Sequence, residues 1–528
     1  MNNQDFGQSG SVERGHLEKQ NSLTHAKYTA IISDLHLCEA EPLHPKYPLW
    51  KKYKTRQFFF DEQLVSFIDY IQDKSNGETV ELILNGDIFD FDSVTTVPDH
   101  PTYRVSNVEQ LSGMLPQNDK SVFKINRIMD HHADVMVALK NFVLKNNRLI
   151  FVIGNHDLEL HWPKVQQAIL DRLDLPDEYQ FAVRFNEWFY ISNQDTLVEH
   201  GNQYDPYCLA EDPIHPFIKR HNRIEIRIPF GNWATRFMIN NMGFFNPHVD
   251  SNFIMSAGEY VKFFFKYMLR AQPLLIWTWM WTSTAVLLRS FTDRIRPSFK
   301  DPLRIEDKIE SVAYKANATP RMVRELRELS VTPANSDPFL MARELWLDRA
   351  FLVLLGFYII FHIFLYINKA FGISMFWAFI PLLMFLPFFV FYSRSVVSDV
   401  HEFKEPREKI LWISSTITKT HRVIYGHTHE VRHEMIGPVE HLNSGTWSPA
   451  FKDVECHIAA DLKTFIWICP KEDDPEHREA KVYQFKNGRE YEMYPEGRKK
   501  KKKEPKSVGP VMPSNQALVK GSKKRTTS

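Results

Sequence analysis

The sequence predicts an α/β protein interrupted by a large helical insertion that contains a membrane hairpin. Three observations lead there. Five short apolar runs each end in a cluster of Asp, His, Asn and Gly; helix-length segments separate the first of these runs; and two long charge-free stretches lie between the fourth run and the fifth.

The runs are TAII before Ser33, VELIL before Asn85, RLIFVI before Gly154, TLV before Glu199 and RVIY before Gly426. Apolar runs of four to six residues bounded by turn signals read as strands buried on both faces. Segments 57–74, 122–146 and 163–173 read as helices between them, and strands alternating with helices define an α/β core. Before Tyr28 the chain is polar and without an apolar stretch, so 1–27 is expected to be a disordered leader and not a secretory signal. The core is expected in two parts, 28–205 and 393–475, around a helical insertion at 206–349 and the hairpin at 350–392.

Ala350–Ile367 and Ala370–Ser393 contain no Asp, Glu, Lys or Arg. Each is about the 20 residues needed to cross a hydrocarbon core, and only a linker at Asn368 and Lys369 separates them. They are expected to form two spans at 350–367 and 371–392, the alternative being a hairpin buried in protein. Segment 271–288 is also uncharged and carries Trp277, Trp279 and Trp281 between Arg270 and Arg289. It is expected to lie at the membrane interface or within the protein.

The 65 basic and 64 acidic residues are unevenly spread. From Arg498 onward there are eleven Lys and Arg and one Glu, a net +10, leaving 54 basic and 63 acidic residues elsewhere. The 476–528 extension is therefore expected to end in a disordered basic tail from Arg498. It is suited to an anionic membrane leaflet and less so to nucleic acid, with an inert solvated tail as the bland alternative. Four scattered cysteines with no CxxC pair exclude a disulfide-stapled module and a Cys-based metal site. No Walker-type phosphate loop is present, which argues against an ATPase.

The chemistry lies where the strands end. Asp34-Leu35-His36, Gly86-Asp87, Gly154-Asn155-His156-Asp157, His200-Gly201 and Gly426-His427-Thr428-His429 follow the five runs. Ligands of α/β sheets bind beyond the carboxyl ends of strands. Two carboxylates, an amide oxygen and four imidazoles make a hard-to-borderline donor set, best suited to Mn²⁺, with Fe or Zn²⁺ next. Seven ligands are too many for one ion and suit two ions sharing a carboxylate. His100, His131 and His132 fall outside the clusters and are expected at the surface or in caps, and nothing marks Arg56 or Lys124 as a phosphate contact.

In order and content these clusters resemble the signature of the calcineurin-like metallophosphoesterase superfamily over about residues 28–205 and 420–470. The resemblance implies a β-sandwich flanked by helices around a dinuclear metal centre. It implies one ion held by Asp34, His36 and His429, a second by Asn155, His200 and His427, and Asp87 bridging them. It makes His156, oriented by Asp157, the residue that contacts the scissile phosphate or protonates the leaving oxygen. A hydroxide generated between the two ions would be the nucleophile. The text differs from protein Ser/Thr phosphatases, which carry Arg-Gly after the second motif and Glu after Gly-Asn-His. It is more similar to the bacterial UDP-2,3-diacylglucosamine hydrolase branch, although His156 stands where those enzymes usually carry Arg.

The expected function is hydrolysis of a phosphoester or pyrophosphate in a lipid-linked or amphiphilic substrate, with membrane lipids and that substrate as partners. His200 and His427 must reach one metal, so the intervening chain must cross the bilayer an even number of times. Arg343, Arg349, Arg394, Lys404 and Arg407 flank the hairpin, whereas its turn carries only Lys369. Positive-inside counting then places the catalytic part in the cytoplasm. A nuclease or nucleotide phosphodiesterase is the alternative, and a non-enzymatic scaffold a lesser one.

Overall fold

All five expected runs are strands, and they divide between two sheets. Residues 25–220, 223–243, 275–296, 305–395, 408–451, 455–459 and 462–494 are described in the computed structural model of the chain. All but the last three residues of the expected leader, and the whole of the basic tail from Arg498, lie outside them.

The strands are β1 (Tyr28–Ile32), β2 (Val80–Asn85), β3 (Arg148–Val152), β4 (Val183–Asn186), β5 (Phe189–Ser192), β6 (Thr196–Glu199), β7 (Phe217–Arg220), β8 (Arg223–Ile226), β9 (Arg422–Tyr425), β10 (Val431–Ile436), β11 (Val439–Ser444), β12 (Thr464–Pro470), β13 (Arg478–Lys486) and β14 (Arg489–Glu492). Seven form a sheet in the order β14-β13-β12-β1-β2-β3-β4, and five form another in the order β10-β11-β9-β6-β5. Strands β1 to β4 are parallel neighbours, as are β6, β9 and β11.

Alternate side chains explain why these runs are apolar throughout. From the first sheet, Ile31, Ile83, Ile150 and Val152 meet Tyr190, Val198, Ile424 and Leu442 of the second. Their neighbours Ala30, Ile32, Leu82, Leu84, Leu149 and Phe151 face a helical layer that includes Asp61–Lys74, Ala133–Leu144 and Pro163–Leu173. Both faces of each strand are thus out of water, and each fully buried Val, Leu or Ile contributes about 1.5–3 kcal/mol. The expected 122–146 helix is two, Asn118–His131 and Ala133–Leu144, because buried His132 breaks the line to bond Asp61 Oδ1 (2.8 Å) and the Cys38 carbonyl (2.9 Å).

One expected boundary shifts, and the insertion differs in content. The core does not stop at residue 475: β13 and β14 extend the first sheet. Strand β13 alternates buried and less buried positions, as a strand covered mainly on one face does. The insertion is not wholly helical, since β7 and β8 form a hairpin. Nor is it only an appendage. Ile309, Val312, Ala313, Val323 and Leu326, on helices Ile305–Lys315 and Pro320–Arg327, cover the outer face of the second sheet against Phe189, Leu197 and Val423.

Helix Leu347–Phe371 is long and apolar enough to cross a bilayer, with mean hydropathy 2.5 over an 18-residue window that is 0% buried. It is the only such helix among the described residues. The expected second span is a shorter helix, Phe379–Ser395, with Pro387 inside it. The break between them falls at Gly372 rather than at Asn368 and Lys369. Gly372 takes the left-handed conformation that ends the first helix and donates its N–H to the Asn368 carbonyl (2.8 Å). The helices run back along one another, with Gly356 beside Phe385 and the Tyr392 hydroxyl donating to Asp348 Oδ2 (2.9 Å) at the open end. The Trp-rich segment belongs to helix Leu275–Ile295, whose Ser283, Val286, Ser290 and Asp293 are buried against the protein while Trp277 and Trp281 are each 68% exposed.

Beside the first cluster, Glu41 accepts from Lys51 Nζ (2.8 Å) and Lys54 Nζ (2.7 Å), and Lys54 also donates to the Ser93 carbonyl (2.7 Å). Burial alone would raise the Glu41 carboxyl, but the two ammonium groups hold it at about 2. Its folded value lies below its unfolded one, so its stabilisation is fully present above pH ~4.3 and is lost as pH falls through about 2. A shift of this size corresponds to about 3 kcal/mol. Glu41→Gln is expected to lower the thermal midpoint at pH 7, and the gap from wild type should close between pH ~4.5 and ~2. A gap independent of pH would show that the charge of Glu41 contributes nothing.

Candidate metal centre

The five clusters meet on one rim, three at the ends of β1, β2 and β3 and two at the ends of β6 and β9. Asp34, His36, Asp87, His427 and His429 all adopt left-handed backbone conformations, with φ of 53°, 48°, 53°, 65° and 58°. Non-glycine residues rarely do so, and the strain costs roughly 1 kcal/mol or more each. Such strain persists where the surroundings fix it. Asp34 N–H donates to the Gly86 carbonyl (3.0 Å), His36 N–H to the Asp87 carbonyl (2.9 Å) and His427 N–H to Asp34 Oδ2 (3.2 Å). The loops therefore hold one another.

Four overlapping groups of side chains result among the described residues. Asp34, His36 and His429 each offer a ligand atom within 4.8 Å of the others, and so do Asp87, His200 and His427; the other two groups are His36, Asp90 and His156, and Asp205, Cys208 and His427. Asp34 Oδ1 lies 3.1 Å from His429 Nε2. Asp87 Oδ2 lies 3.3 Å from His200 Nε2 and 3.9 Å from His36 Nε2, which puts this carboxylate between the first two groups. Burial alone would raise Asp87, but His200, His156 and His36 overcome it and hold the carboxyl well below its ordinary range. Conversely, Asp87 outweighs burial at His200 and raises that imidazole to about 9. Attraction that keeps a proton on this ring favours a cation in the same place.

The donors suit a divalent cation. His200 donates Nδ1–H to the Asn85 carbonyl (2.9 Å), which turns Nε2 toward Asp87. Buried Asn155 Oδ1 has no hydrogen bond, and a buried polar atom left so is costly unless something else binds it. Close packing of the two sheets makes the arrangement possible. A Cβ on Gly86 would strike the His200 ring, and one on Gly154 would lie 2.6 Å from the Asp87 nitrogen.

One expected role is corrected. Asp157 does not orient His156: its carboxylate accepts from Ile88 N–H (2.8 Å) and Gly154 N–H (2.5 Å), tying the third loop to the second. Burial and the neighbouring charge of Asp87 push Asp157 up to about 7. The partners of His156 Nδ1 are Asp92 Oδ2 (3.3 Å) and Asp90 Oδ1 (3.4 Å), and together with Asp87 they outweigh burial and hold the imidazole well above its ordinary value.

Further residues belong to the site. Asp205 Oδ2 lies 3.0 Å from His427 Nε2; it follows the fourth cluster by only a few residues, so position was the available signal. Asp90 and Asp92 stand in the same run as Asp87. Lys124 is wholly buried, bonded to Glu159 and far from a phosphate-binding role, and burial lowers it to about 8. His131 Nδ1 accepts from Ala40 N–H (3.1 Å), so neither it nor His132 joins the ligands.

The family model for calcineurin-like phosphoesterases matches residues 28–227. The match spans 200 of the 528 residues and contains the first four clusters. That similarity supports a metal-dependent phosphoester hydrolase, and members of the family typically bind divalent metals. The match includes Asp34, His36, Asp87, Asn155 and His200; His427 and His429 lie beyond it and reach the rim on β9. No curated protein and no solved structure matches the chain.

Gly154→Ala is expected to displace Asp87 and reduce bound divalent metal per chain, read by elemental analysis, while the far-ultraviolet circular dichroism stays unchanged. Full metal content in this variant would show that close approach at Gly154 does not set the site.

Proposed function

We propose that the protein is a membrane-anchored two-metal hydrolase that cleaves a phosphoester or pyrophosphate bond in an amphiphilic or lipid-linked substrate. The observation that carries the chemistry is the pair of ligand groups with Asp87 between them. In this reading Asp34, His36 and His429 hold one cation, Asn155, His200 and His427 hold another, and Asp87 contacts both. Mn²⁺ fits the oxygen and imidazole set best, with Fe and Zn²⁺ as alternatives. Two bound divalent ions supply charge stabilisation at the phosphoryl oxygens and a water of lowered pKa.

The side chains perform the remaining tasks. His200 and His427 are fixed by the Asn85 carbonyl and Asp205, so neither ring must be ordered when substrate arrives. With Nδ1 of His156 directed to Asp90 and Asp92, Nε2 on the opposite side of the ring serves the substrate. There it donates a hydrogen bond to a phosphoryl oxygen or a proton to the leaving oxygen.

Membrane anchoring is supported by the exposed Leu347–Phe371 helix and by a topological constraint. The His200 and His427 rings lie 5.3 Å apart, so a single crossing between them is impossible. Phe379–Ser395 returns the chain after Leu347–Phe371 leaves the catalytic side, and about 25 Å of helix nearly matches the hydrocarbon thickness. Arg343 and Arg349 at the open end, against Lys369 near the turn, orient the catalytic side to the cytoplasm. Trp277 and Trp281 then sit at headgroup level, where an amphiphilic substrate also lies.

Detergent-purified protein loaded with Mn²⁺ is expected to hydrolyse bis(p-nitrophenyl) phosphate or p-nitrophenyl phosphate, and chelation should abolish turnover. His427→Ala should lower turnover by roughly 100-fold or more and reduce bound metal. Silence toward both esters in a protein that binds no metal would overturn the assignment. In sealed vesicles, protease should reach residues 305–344 from the same side as the catalytic domain, and the turn at 372–378 from the other. Segments 305–344 and the catalytic domain on opposite sides would overturn the hairpin.

A further inference from the structure

The helical segment 230–242 lies outside the matched domain and has no motif. It consists of Phe230–Ala234, a π-helical turn at Thr235–Ile239, and Asn240–Met242. Three of its residues, spaced four apart, grip one aspartate. Asn232 Nδ2 and Arg236 Nε donate to the two carboxylate oxygens of Asp92, and Asn240 Nδ2 donates to the Asp92 carbonyl (2.8 Å). In an α-helix, positions four apart drift by about 40°. A wider π turn offsets that drift, and such turns recur at functional sites.

The grip reaches the metal centre by two routes. Asp92 Oδ2 is 3.3 Å from His156 Nδ1. Asn232 Nδ2 also donates to the Asn155 carbonyl (2.8 Å), fixing the loop on which Asn155 and His156 sit. Arg236 is itself anchored by the Met114 carbonyl (2.8 Å) and Glu159 Oε1 (2.6 Å). Asn232 and Arg236 are 1% and 3% exposed, so these bonds do not exchange readily with water. The Asn232 amide has one workable orientation, because reversing it would set Oδ1 against a carboxylate and a carbonyl.

We propose that Asn232 and Arg236 are positioning residues for phosphoester hydrolysis: the insertion completes the catalytic centre by fixing Asp92, and through it the ring of His156. This rests on the assignment of His156 to the substrate. A residue that acts through His156 loses its effect when His156 is absent, whereas one that merely supports the fold does not.

The test is a double-mutant cycle on the full-length, detergent-purified, Mn²⁺-loaded protein, with phenyl and p-nitrophenyl phosphoesters. Asn232→Ala and Arg236→Lys are each expected to lower kcat by roughly 10- to 100-fold, with little change in KM and unchanged metal per chain. In the His156→Ala background the same substitutions should lower kcat by less than about 2-fold. Losses that multiply undiminished onto His156→Ala, or that follow metal content instead of kcat, would overturn the proposal. Unchanged turnover in His156→Ala alone would overturn the role of His156, a separate failure. Asn232→Ala removes no charge and keeps the cycle measurable even where Arg236→Lys unfolds.

Discussion

The site is organised around one buried carboxylate at the seam between two sheets. Asp87 receives the backbone N–H of His156 on one oxygen (2.8 Å) and faces His200 and His36 with the other. An unpaired carboxylate buried this deeply would cost several kcal/mol. Charge at this point is held by that N–H, by the imidazoles and, in the reading proposed above, by cations. The surrounding features follow from that need. Gly86 and Gly154 give the second sheet room to bring His200 against the first, and the loop ends of β1, β2 and β9 take left-handed conformations to aim their side chains inward.

Strain and polarity of this kind must be offset elsewhere, and the sandwich does so. Aliphatic side chains fill the centre between the sheets, buried Glu81 beside them accepts from Tyr190 and Ser192, and helices cover both outer faces. Rigid burial lets five non-glycine residues persist with positive φ on one rim. The hydrogen bonds joining Asp34, Gly86, Asp87 and His427 distribute that strain over three strand ends.

The insertion is part of this machine in two physical senses. Its helices at 305–327 form the outer layer of the second sheet, and its 230–242 segment grips Asp92. Behind that segment lies helix Leu275–Ile295, joined to it by Trp233 Nε1 donating to Asp293 Oδ2 (3.2 Å) and by Arg289 over the Trp233 ring. Trp277 and Trp281 point away on the exposed side. The surface suited to lipid and the loop that carries His156 thus rest on opposite sides of one short helical segment.

The sequence alone determined the α/β class, the five polar clusters at strand ends and the apolar stretch at 350–367, which lies within helix Leu347–Phe371. Each is local: a strand buried on both faces reads as a continuous apolar run, and the Asp, His and Asn that follow it stand out against that run. Outer strands such as β13 were not legible as apolar runs, because a less buried face restores alternation. The partners of His156 were not legible either. Asp157 adjoins it in sequence but faces the backbone of Gly154 and Ile88, while Asp90 and Asp92 reach the ring from another loop. The spacing of Asn232, Arg236 and Asn240 does not reveal their role, since the partners of Asn232 and Arg236 come from β2 and β3 loops more than 70 residues away. Only tertiary structure decided these contacts, because hydrogen bonding depends on where folded loops converge and not on which residues are neighbours along the chain.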